Sequence, residues 1–182
     1  YVPVTIKTAE ENVKWDFFTE ILRHYLFYTL QDKLFCYSIK TDLATFSDFS
    51  NFSIEALFEP AKTVVFYKNL NQVLKRFKNS LNKKELEYFI DKKNKAIDLD
   101  KDYPKEFANH ISWYALTFGV DQTLTLPEQQ KIIRSITTEQ LHQYFDQLFK
   151  NSLATVIIGG HVSAGQRKQI QKDWDLGSIG TV

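Results

Sequence analysis

The chain has 182 residues, 43% hydrophobic and 25% charged, and its 23 Lys plus Arg against 22 Asp plus Glu leave a formal net charge of +1. That length suits one domain with a buried core, and 3 Trp, 9 Tyr and 15 Phe supply the apolar area that disordered chains lack. A near-neutral balance excludes any chain-wide electrostatic attraction to nucleic acid or to an anionic membrane.

Val2, Val4 and Ile6 alternate with polar neighbours as a short half-buried strand, broken near its start by Pro3. Thr8 and Glu11 have the spacing of a capping box, in which hydroxyl and carboxylate satisfy each other's amides. The helix that follows, from Glu10 to about Gln31, carries Val13, Phe17, Phe18, Ile21, Leu22, Tyr25, Leu26 and Leu30 on more than one face. It is therefore expected to lie between a sheet and other helices. Residues 35–46 and 52–58 read as two strands joined by the turn-forming stretch 47–51, an antiparallel hairpin.

Pro60, Pro104 and Pro127 then stand where helices begin. Val64, Tyr67, Leu70, Leu74 and Phe77 mark one helix, and Leu86, Phe89, Ile90 and Ile97 a second. Phe107, Ile111, Tyr114, Ala115 and Phe118 mark a third, closed by Gly119. Thr138 opens another, with Leu141, Tyr144, Phe145 and Leu148 inward, and residues 154–158 read as a buried strand before Gly159 and Gly160. Residues 163–174 form a short polar helix at best. The order predicts an α+β fold: a two-layer sandwich, a mainly antiparallel sheet with helices packed on one face. Nothing divides residues 1–182, which read as a single domain.

The chemistry-bearing residues are sparse. Cys36 stands alone, so no intrachain disulfide or thiolate zinc cluster is possible. The absence of a run of about 18 apolar residues argues against a membrane span. All 6 glycines lie from Gly119 onward, which excludes a glycine-rich phosphate loop in the first 118 residues. His24, His110, His142 and His161 fall in neither H-E-x-x-H nor H-x-x-E-H, and read as helix-face histidines. Asp98–Asp102 starts like a calcium loop but has Tyr103 where the turn needs Gly, and Asn109 where a bidentate Glu belongs. Lys83, Lys84, Lys92 and Lys93, interleaved with Glu85, Glu87 and Asp91, read as a solvated face. No nucleophile–base pair can be assigned. An opening Tyr1, with no basic segment after it, is expected of a piece of a longer chain or a processed product.

Four strings, taken in order, resemble the C-terminal repeat of the insulinase, pitrilysin and mitochondrial processing peptidase family. They are residues 30–38 (Leu-Gln-Asp-Lys-Leu-Phe-Cys-Tyr-Ser) leading into the hairpin, residues 52–56 returning from it, residues 85–99 followed by Pro104 and a helix to Gly119, and residues 136–141 with 154–159. The resemblance runs from about Asn12 to Gly160. It implies a clam-shell of homologous repeats in which zinc is held by an inverted H-x-x-E-H helix of another repeat, while zinc-free repeats help to bind extended peptides. In active members an Arg and a Tyr of such a repeat reach the scissile peptide, where donors stabilise the developing oxyanion. Tyr37 matches that Tyr. Gln31 stands at the Arg position, the intervening Gly is missing and the spacing is one residue shorter.

The resemblance thus implies a non-zinc-binding domain of an insulinase-like metallopeptidase, a chamber wall and peptide-docking surface. Proteolysis would be carried out by a homologous zinc-bearing repeat in cis or in trans, acting on an extended peptide. Gln31 and Tyr37 are the candidate binding residues, Tyr37 a possible transition-state contact, and no metal or cofactor is expected on this chain. The alternative is a catalytically inactive assembly subunit of the same fold.

Overall fold

The structure, a computed structural model, describes residues 1–33, 35–100, 102–149, 155, 157–160 and 162–173. Three strands, β1 (Val2–Val4), β2 (Ser38–Thr45) and β3 (Ser50–Leu57), form an antiparallel sheet in the order β1-β3-β2. Seven α-helices accompany it among the described residues: α1 (Ala9–Leu26), α2 (Thr63–Ser80), α3 (Lys83–Asp100), α4 (Pro104–Phe118), α5 (Leu126–Arg134), α6 (Thr138–Phe149) and α7 (Ala164–Asp173). The expected α+β class, with helices packed on the sheet, is the observed one.

Thr8 caps α1, its hydroxyl accepting the Glu11 N–H at 3.1 Å. The reciprocal arm lands one residue earlier than expected: Glu11 Oε2 takes the Lys7 N–H at 2.7 Å. The full capping box occurs instead at α5, where Glu128 accepts the Thr125 N–H at 2.8 Å. Pro60 opens a 3-10 turn (Pro60–Lys62) ahead of α2, Pro104 is the first residue of α4, and Pro127 the second of α5. Proline suits these places because a first-turn N–H has no intrahelical partner to lose.

α1 is the central element, as its several apolar faces require. It packs on β2 and against α2, α5 and α6, and Phe17, Phe18, Ile21, Leu22 and Leu26 are all buried. Trp15 lies 4.5 Å, ring to ring, from Tyr144 of α6, and Phe18 lies 6.1 Å from Phe77 of α2. Two buried polar bonds fix the helix on the sheet: Thr41 Oγ1 donates to the Thr19 carbonyl at 3.0 Å and Thr45 Oγ1 to Asn12 Oδ1 at 2.9 Å. Buried hydroxyls without such partners would cost about 1–3 kcal/mol each.

One expectation needs revision. Lys93 is not on a solvated face: it turns toward α1 and binds Glu20 at 2.7 Å and Asp16 at 3.2 Å. On α4 Tyr114 is buried and Phe107 and Phe118 pack half-buried against the core, while Leu116, outside the expected apolar face, is 84% exposed. Gly119 closes α4 at φ +104°, where a Cβ would also come within 2.8 Å of the Asp121 carboxylate. Of the expected strand over 154–158, residues 154 and 156 lie outside the described residues, and 155, 157 and 158 are not in a strand. Thr155, however, exchanges two backbone hydrogen bonds of 2.9 Å with Tyr1, the reciprocal pairing of adjacent antiparallel residues.

Candidate functional site

The end of α1 does not simply stop. Phe27–Gln31 winds on as one π-helical turn, which throws the chain toward the start of β2. The wider turn carries Gln31 to the sheet, where its Oε1 accepts the Ile39 N–H at 3.3 Å.

That contact defines the edge of the sheet. Phe46 N–H donates to the Phe49 carbonyl at 2.9 Å, and β2 and β3 pair in constant register from Ser38↔Leu57 to Thr45↔Ser50. Ladder bonds to β3 therefore belong to the even-numbered residues of β2, while the N–H and C=O of Ile39, Thr41, Leu43 and Thr45 point to the other side. Among the described residues no strand lies there. Gln31 covers the first of these outward amides, and the next three run along an edge of the sheet.

Tyr37 sits just ahead of β2. Its N–H donates to the Leu57 carbonyl at 2.7 Å although the register pairs Leu57 with Ser38, so two residues oppose one, as in a β-bulge. The bulge breaks the alternation that makes Ile39 and Thr41 face the helices. Tyr37 is thereby turned outward and is 60% exposed. Its hydroxyl donates to Glu59 Oε1 at 2.8 Å, and Lys62 Nζ lies 3.4 Å from Glu59 Oε2. The hydrogen bond to Glu59 raises the Tyr37 phenol above its ordinary value, and the bond from Tyr37, then the charge of Lys62, lowers the Glu59 carboxyl. The phenol is thus a held donor.

Gln31 and Tyr37 are both at the start of β2, but they engage different partners: Gln31 the backbone of Ile39, Tyr37 the side chain of Glu59. Glu59 was not singled out in the sequence. Its signal was only its place one residue before Pro60, where the extended conformation favoured ahead of proline (φ −66°, ψ 136°) presents it beside the hairpin. Cys36 is buried, and burial pushes its thiol above the ordinary value, the opposite of an activated nucleophile.

His24, His110 and His142 lie on α1, α4 and α6, and His161 falls outside the described residues. Among the described residues no group of three or more His, Cys, Asp or Glu could hold a metal ion. No described helix is long and apolar enough to cross a membrane.

Comparison with known proteins bears on this arrangement. No curated protein matches the chain. Among solved structures it is similar to the periplasmic protease PqqL from Escherichia coli, with a TM-score of 0.61 and 18% identity over 80% of this chain. It is also similar to a predicted insulinase family protease from Yersinia pestis, with a TM-score of 0.59 and 12% identity over 94% of this chain. The matches span only 16% and 42% of those two chains, and at such identities they speak for the fold. Residues 1–92, which contain the sheet, α1, α2 and the start of β2 with Gln31 and Tyr37, match the family described as the peptidase M16 inactive domain. The chain belongs to that family, as an inactive M16 domain of the kind found in insulinase-like proteases.

Proposed function

We propose that this domain forms a chamber wall and peptide-docking surface for proteolysis carried out by a homologous, zinc-bearing repeat. The observation that carries the reading is the outer edge of β2. A strand of 8 residues with outward N–H and C=O groups is a template for another extended chain, and natural proteins rarely leave such an edge without a use or a cover. Main-chain bonds along it would hold a peptide with little dependence on sequence. No step of bond cleavage is assigned to this chain, among whose described residues no group of three or more His, Cys, Asp or Glu could hold a metal ion. Tyr37, at the head of that edge, would contribute by donating to substrate once released from Glu59.

The experiment is reconstitution with a zinc-bearing M16 repeat, followed by hydrolysis of an unstructured peptide. Addition of this domain should raise turnover, and Tyr37→Phe should reduce the gain. A domain that pairs with the zinc repeat yet leaves hydrolysis unchanged would contradict the reading.

A second reading, an assembly subunit that takes no part in proteolysis, is favoured by one observation. Both candidate side chains are already engaged within the chain: the Tyr37 hydroxyl on Glu59, the Gln31 oxygen on Ile39.

A further inference from the structure

Beside the head of β2 the structure has a cleft of about 210 Å³ with an unusual charge balance. Arg23 and His24 reach it from the last turn of α1, Lys92 from α3, Phe27 and Tyr28 from the π-helical turn, and Ile39 from the sheet edge itself. Glu20 is the only carboxylate in the lining, and it is bound by Lys93 at 2.7 Å. Among the described residues neither Arg23 nor Lys92 has an ion-pair partner. The aromatic walls are open to solvent, Phe27 by 40% and Tyr28 by 55%. His24 lies between Tyr28 and Phe89, its ring 4.6 and 5.0 Å from theirs, and burial, then the charge of Lys92, holds it below the ordinary imidazole value. A basic last turn suits the negative end of a helix. That accounts for Arg23 and His24 but not for Lys92, which comes from a different helix to the same opening.

We propose that this cleft receives an aspartate or glutamate side chain of an extended peptide laid along the outer edge of β2. The inference rests on the reading of that edge as the docking surface, and adds a side-chain preference to it. The geometry follows from the pleat. α1 covers the face of β2 that carries Ile39 and Thr41, so a strand added at this edge directs alternate side chains toward the same layer. The one of those side chains that lies past Thr41, toward Ile39, meets the cleft. The guanidinium of Arg23 can take a carboxylate through two parallel N–H bonds, with Lys92 adding a compact charge. Phe27 and Tyr28 provide apolar contact for the methylenes. The volume suits one side chain.

The test is fluorescence anisotropy with two labelled, C-terminally amidated extended peptides that differ by one Glu→Gln exchange. The full 182-residue chain should bind the Glu peptide about tenfold more tightly, as a charge-assisted contact against a neutral one implies. The double variant Arg23→Gln/Lys92→Gln should lose that preference while keeping its affinity for the Gln peptide. A charge-matched control, Lys105→Gln/Lys131→Gln on α4 and α5, should retain the preference. Equal binding of both peptides by the unaltered chain would overturn the acidic preference and leave edge docking standing. Failure of both peptides to bind would overturn edge docking and the preference with it. A preference that survives in the double variant, or vanishes equally in the control, would overturn the assignment to this cleft.

Discussion

The Tyr37 hydroxyl donates to Glu59 Oε1 at 2.8 Å, across the mouth of the β2–β3 hairpin, and this bond decides how available the phenol is. A carboxylate acceptor stabilises the protonated phenol, so Tyr37 titrates above its ordinary value. Glu59→Gln removes the charge and should lower the Tyr37 ionisation toward 10, the value of an unperturbed tyrosine. Ultraviolet titration of Glu59→Gln, with Tyr37→Phe to identify the tyrosine that moves, reads this directly. An unchanged titration would mean that the bond is not formed in solution.

Gln31 makes a contact that the arginine of the family pattern could not. Its Oε1 accepts the Ile39 N–H at 3.3 Å, and a guanidinium has only donors. Gln31→Arg should therefore leave a part-buried amide without its acceptor and cost about 0.5–1.5 kcal/mol, whereas Gln31→Glu, which keeps an acceptor, should cost less. Urea unfolding of the two variants gives the comparison. Equal stability of Gln31→Arg and the unaltered chain would remove the edge-covering role from Gln31.

Lys93 ties α3 to α1 through Glu20 and Asp16. Burial alone would lower its value, but the two carboxylates more than reverse this, and the ammonium is held above the ordinary 10.5. A group raised on folding contributes stability that is complete below the unfolded value and is lost as pH rises through the folded one. Lys93→Met should thus destabilise by about 1–2 kcal/mol near neutral pH, the pair being partly exposed, and the deficit should shrink above about pH 10.5. Thermal unfolding of both proteins at pH 7 and pH 11 checks the sign. A deficit that stays constant through this range would contradict it.

Much of the fold was legible because it rests on local signals. The proline positions, the alternation in β1 and the turn-forming stretch between β2 and β3 each fix an element without tertiary help. The apolar faces of α1 also foretold its central place, with Phe18 and Leu22 wholly buried. What escaped was set by contacts distant in sequence. Lys93 belongs to a run that reads as solvent-facing until Asp16 and Glu20, more than 70 residues away, come beside it. The reciprocal arm of the Thr8 cap goes to the Lys7 N–H, one residue outside the box that the spacing of Thr8 and Glu11 implies. At the candidate site the strings singled out Gln31 and Tyr37, but not their partners. Those depend on a π-helical turn and a bulge, each a shift of one residue in an otherwise regular element, and no pattern of apolar residues marks such shifts.

The account stands most directly on the alternation of amides along β2. In a reconstituted complex with a zinc-bearing repeat and saturating uncleaved peptide, hydrogen exchange should slow at Thr41, Leu43 and Thr45, whose N–H groups point to the outer edge. It should change little at Lys40, Asp42 and Ala44, already bonded to β3. Slowing confined to the odd-numbered amides is the result that docking along this edge predicts. Exchange unchanged at those three positions, in a complex shown to hold the peptide, would contradict it.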